Sequence, residues 1–174
     1  MAGAGTATGT RRPKPDPLGI YLNDHLAGAT GGVELARRTA RSAQGADAGT
    51  LRRFAAEVAQ DRVALLDMMT TLSIPVRSYK VYAAWIGEKA GRLKLNGHLL
   101  SRSPLSNLEE LELLRLGVAG KAAGWRTLRV AAERDSRLDS GQLDELIARA
   151  RRQEDLLEEL RVRAVNDVIG HRLA

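Results

Sequence analysis

Apolar side chains recur every three to four positions through most of this chain, and the recurrence falls into four long runs. After Pro17, residues Leu22, Leu26, Ala29, Val33, Ala36 and Ala40 share one helical face, which predicts a helix over 18–44 ended by Gly45. A second run, Phe54, Val58, Asp61, Leu65, Met68 and Leu72, predicts a helix over 48–73 that Asp47 caps and Ile74-Pro75 stops. Only Gly-Ala-Asp-Ala-Gly separates the two, so they are expected to form an antiparallel hairpin. A third helix over 105–134 carries Leu108, Leu111, Leu114, Val118, Ala122 and Trp125 inward, with Ser103-Pro104 and a Ser106-to-Glu109 capping box at its start. Asp139-Ser-Gly-Gln142 opens a fourth over 140–168, with Leu143, Leu146, Ile147, Ala150, Leu157, Leu160, Ala164 and Val168 inward.

Residues 74–104 break this periodicity. They hold a short helical stretch over 78–92, followed by turn signals at Asn96-Gly97 and Ser103-Pro104. Four helices of about 40 Å each, at 1.5 Å per residue, therefore come as hairpin, long crossover, hairpin. An up-down-up-down bundle needs only short loops, whereas one long crossover is the ferritin-like arrangement. The expected fold is all-α, a ferritin-like four-helix bundle over 18–168. Residues 1–17, a Gly, Ala and Thr stretch with three prolines, and residues 169–174 are expected to be tails.

Composition narrows the chemistry. Cysteine is absent, which excludes disulfides, thiolate metal sites and cysteine nucleophiles and suits a reducing cytoplasm. No apolar run approaches the roughly 20 residues of a bilayer span, and the N-terminal stretch lacks an apolar signal core, so a soluble cytoplasmic protein without a membrane partner is expected. The net charge of +6 is mild, its arginines are dispersed among acids, and six aromatic residues are too few to stack bases, so no nucleic acid partner is expected. No nucleophile elbow, phosphate-binding loop or dinucleotide fingerprint occurs.

Ferritin-like carboxylate proteins draw one Glu from each of two helices and Glu-x-x-His from each of the other two, and the i, i+3 spacing sets both side chains of that motif on one metal. The histidines here are His25, His98 and His171, and none follows a glutamate by three. The phrases "YLNDHLAGATGGVELARR", "LRRFAAEVAQDRVALLDMM" and "NLEELELLRLGVAGKAAGWRTL" nevertheless resemble bacterial members of the ferritin-like superfamily that lack an assigned function. The resemblance covers 18–168 and rests on helix phrases, not on a catalytic signature. It implies glutamates where this chain has Ala29 and Ala119. It matches Glu57 to the ligand glutamate of the second helix, with Gln60 in the histidine's place, and it sets Gln153-Glu154 at the corresponding turn of the fourth.

Two features then need an account. Asp61 interrupts an apolar stripe with Glu57 one turn before it, and Gln153-Glu154 interrupt another. A buried carboxylate is costly unless paired or metal-bound, so either Asp61 pairs with Arg62, Lys121, Arg126 or Arg149, or the helices turn these groups to solvent, or Glu57, Asp61 and Glu154 form a remnant metal site. Glycine inside a helix costs about 1 kcal/mol relative to alanine, yet Gly28, Gly31 and Gly32 sit in the first helix and Gly117, Gly120 and Gly124 in the third. Their compensation is close backbone packing, or room for a bulky neighbour such as Trp85 or Trp125, or a ligand cavity at Gly28, Gly32, Gly117 and Gly120. His25 is expected as a half-buried histidine near a bundle end, not as a ligand.

The functional expectation is a non-catalytic bundle with no catalytic residues and no cofactor, its di-iron site lost, acting as a structural, interaction or small-ligand-binding protein. Homodimers through an exposed bundle face fit that expectation. The alternative is an iron- or manganese-binding oxidoreductase with an atypical carboxylate site.

Overall fold

The computed structural model describes residues 16–77 and 104–173, the side chains of 104 and 171–173 excepted. These residues form four helices: α1 (Pro17–Ser42), α2 (Asp47–Thr71), α3 (Pro104–Ala131) and α4 (Ser140–Leu173). The expected N-terminal tail up to residue 15 and the short helix over 78–92 fall outside the described residues.

Local chemistry accounts for the helix ends. Asp16 caps α1 by accepting from the N–H groups of Leu18 and Gly19, both at 3.1 Å, while Pro17 fills the first helical position, where its missing N–H costs nothing. Asp139 does the same for α4, its Oδ1 accepting from Gly141 at 2.8 Å and Gln142 at 3.1 Å. At α2 the expectation is corrected: Ala46 holds the cap position, and Asp47 lies inside the first turn, where its carboxylate meets Arg163 of α4 at 3.0 Å. An acidic group there still opposes the helix dipole favourably. Ser106 and Glu109 likewise sit within a helix that has already begun at Pro104. α2 ends in a Schellman turn, with Ser73 left-handed at φ 57°, its N–H on the Thr70 carbonyl, and the Ile74 N–H on Met69. α1 stops two residues short of expectation, at Ser42, and α4 continues past 168 to Leu173.

Side-chain pairs fix the helix directions. Tyr21 with Thr127 and Thr39 with Glu110 make α1 and α3 antiparallel; Thr30 with Arg62, and Asn23 with Pro75 just past the end of α2, do so for α1 and α2. Arg115 with Glu158 and Arg129 with Asp144 make α3 antiparallel to α4. Arg163 with Asp47 and Arg149 with Asp61 relate α2 and α4 in the same way. Hence α2 and α3 point the same way, and Thr71 and Pro104 lie at opposite ends of the bundle.

The predicted stripes meet in one core. Leu22, Leu26, Val33, Phe54, Val58, Leu65, Leu111, Leu114, Trp125, Leu143, Leu157 and Leu160 are all buried, while Leu108, Ala29 and Val168 are only half-buried. Burying each such side chain is worth about 1.5–3 kcal/mol relative to leaving it in water, which stabilises the bundle well beyond helix propensity. One buried polar pair was not foreseen: Thr39 Oγ1 donates to Glu110 Oε2 at 2.9 Å, and Arg38 holds the other carboxylate oxygen at 3.1 Å. Among the described residues no helix is long and apolar enough to cross a membrane.

Candidate functional site

Two features stand at mid-height in the bundle, and they share Asp61 and Lys121. The first is a relay of polar groups linking α2, α3 and α4. Lys121 Nζ donates to Asp61 Oδ2 and to Gln153 Oε1, each at 2.5 Å. Gln153 Nε2 passes the connection to Glu57 Oε2 at 2.9 Å. Lysine has only donors and a carboxylate only acceptors, so the glutamine amide can be oriented in one way only. On the other side of Asp61, Arg149 Nη2 stands 2.7 Å from Oδ1. That contact is an ion pair without hydrogen-bond alignment, and Arg149 Nε is buried without a partner.

Burial explains why the relay is closed. Asp61 is 2% exposed and Gln153 1%, so an unmatched charge there would carry a desolvation cost of several kcal/mol. Two cations flanking one carboxylate offset that cost. Burial pushes the Lys121 ammonium below its ordinary value of 10.5, and the adjacent Asp61 opposes the shift.

Of the four basic residues named as partners for Asp61, the relay uses Lys121 and Arg149. Of the three carboxylates named as a remnant metal set, Glu57 and Asp61 both enter the relay, but Gln153 stands between Lys121 and Glu57 instead of a third acid. Glu154 is half-buried and makes no hydrogen bond or ion pair to either. Among the described residues, no group of three His, Asp or Glu side chains is arranged to hold a metal ion. The residues do not fit iron or manganese: an ammonium already takes the inner oxygen of Asp61, and Glu57 is turned to an amide. Ala119, matched by resemblance to a ligand glutamate, is exposed, two positions before the inward Lys121. Gln60 is also exposed, at 3.4 Å from Arg149 Nη1.

The second feature is a cleft of about 470 Å³ between α1 and α3. Phe54, Val58 and Leu65 of α2 form its apolar floor, with Asp61, Arg62 and Lys121 beside them. Here the close-packing account of the glycines is corrected. A Cβ built on Gly28, Gly32, Gly117 or Gly120 meets nothing within 4 Å. The missing side chains leave space; they do not draw backbones together. Gly124 differs from these four, since a Cβ there would stand 3.1 Å from the His25 ring, which would have to give way. That ring lies edge-on to Tyr21, with centroids 4.4 Å apart, and burial lowers its pKa from 6.5 against the opposing pull of Asp24. His25 is thus half-buried at the cleft's rim, where it makes no metal cluster with the described residues. His98 lies outside the described residues, as does the side chain of His171.

Sequence reasoning missed one orphaned polar group beside the cleft. Trp125 is 3% exposed, lines the cleft, and its indole N–H has no hydrogen-bond partner. Its place on an apolar stripe gave no hint of this, because the stripe reports which face is buried and not where a ring nitrogen finds an acceptor. No protein-family model matches this chain, and no curated protein or solved structure matches it significantly either.

Proposed function

We propose that this chain is a non-catalytic, ferritin-like helical bundle that binds a small apolar ligand in the cleft between α1 and α3, and that Lys121 takes over the role a metal ion plays in its metal-binding counterparts. The parallel course of α2 and α3, with their facing ends at opposite poles, supports the ferritin-like arrangement. The Asp61–Lys121–Gln153–Glu57 relay supports the loss of metal, because a fixed ammonium supplies the positive charge that would otherwise gather these side chains.

The observation that carries the ligand reading is the open space at four intrahelical glycines. Each costs stability in a helix, none is needed for packing, and together they flank an apolar cleft within the 300–1,000 Å³ range of small-molecule sites. The test is a titration with a neutral solvatochromic dye. One dye per chain is expected for the wild-type protein, and none for Gly120→Leu, which puts a bulky side chain on a cleft-lining position where a Cβ meets nothing within 4 Å. Equal binding by both proteins would sink the reading. In a parallel titration of dialysed protein, ferrous iron and manganese are expected to bind below stoichiometry; one tight ion per chain would restore the oxidoreductase alternative.

A further inference from the structure

Resting on the cleft as a ligand site, we infer that its ligand is an elongated apolar molecule bearing one anionic, acceptor-rich group, of the kind a medium-chain carboxylate represents. Charge on the floor points that way. Asp61 already faces two cations, Lys121 and Arg149. Arg62, which also lines the cleft, donates through Nε to Thr30 Oγ1 at 3.0 Å and makes no ion pair with a carboxylate among the described residues. A half-buried guanidinium with only a hydroxyl partner is a strong bidentate donor left without its natural acceptor.

Lys121, the other cation of the lining, is already held by Asp61 and Gln153, so Arg62 is the basic group left to meet a ligand. Arg62 stands at mid-height in the cleft, which sets the level of the charge. From that level the glycine-flanked walls offer room for an alkyl chain, since Gly28, Gly32, Gly117 and Gly120 contribute no side chain to block it.

The test compares sodium decanoate with 1-decanol on the whole chain, read by Trp125 emission in a Trp85→Phe background and by calorimetry. Decanoate is expected to bind at least about tenfold more tightly, the factor that one charged hydrogen bond supplies, and Arg62→Gln should erase the difference while leaving decanol unchanged. Circular dichroism and a urea melt of Arg62→Gln establish that it is folded. Equal affinities for the two probes would overturn the anionic head group and leave the apolar cleft standing. Failure of both probes would overturn the cleft reading itself; light scattering then tells whether a second copy covers the groove, at twice the chain mass, or another part of the same chain fills it.

Discussion

The two seams of this bundle solve the same problem in opposite ways. Where α2 faces α4, the gap is closed by long polar side chains, with Lys121 of α3 and Gln153 of α4 linking Asp61 to Glu57. Where α1 faces α3, the gap is left open by residues with no side chain at all. The contrast teaches that a helix bundle does not have to collapse when inward groups are absent. If one seam is pinned by a buried ion network, the helices keep their spacing and the other seam can remain a cleft.

Breaking the pinned seam should have the largest effect. Lys121→Met leaves Asp61 and Gln153 buried with one partner fewer each, and removing one member of a buried ion pair costs about 3–5 kcal/mol. Chemical denaturation should show a midpoint shift of that order at unchanged slope. The double variant Lys121→Met with Asp61→Leu should recover part of the loss, since replacing a buried pair by apolar groups of similar size is often neutral. Additive losses in the two single variants would mean that the relay does not act as a unit.

The open seam sharpens the comparison in the other direction. Gly28→Ala and Gly120→Ala should each raise stability by up to about 1 kcal/mol, because the alanine gains helix propensity and its methyl meets nothing. Gly124→Ala should instead lower it or gain nothing, its methyl pressing on the His25 ring at 3.1 Å. Three similar gains would show that the His25 contact yields freely; three losses would show that the glycines are packing residues after all.

Much of this architecture was legible in the residues. The α2 stripe from Phe54 to Leu72 is buried at every predicted position, Asp61 included, because helical periodicity reports burial directly. Charge then narrowed the partners of Asp61 to four, two of which lie against it. The outcome at the glycines was not legible. A residue without a side chain carries no information about what faces it, so Gly28 and Gly124 read alike although one borders space and the other a histidine ring. The Thr39–Glu110 bond joins residues 71 positions apart, and nothing local to either position signals it. The link from Lys121 through Gln153 to Glu57 was missed for a related reason: a glutamine on an amphipathic helix gives no sign of its partners until neighbouring helices bring them to it.

The smallest expected effect lies at the rim where the two seams' chemistry can be told apart by pH. His25 has a folded pKa below 6.5, chiefly through burial, with Asp24 opposing. As pH falls, the unfolded chain takes up a proton at this position before the folded one does, so stability is full above the unfolded value and is lost as pH drops through 6.5 toward the folded value. Tyr21, Asp24 and the Gly124 backbone face the ring, and of these only Asp24 carries charge in this range. His25→Gln should therefore flatten the stability profile between pH 7.5 and 5.5, measured as urea midpoints, while Lys121→Met should lower the whole profile. A His25→Gln profile as steep as the wild type would place the acid-sensitive group elsewhere.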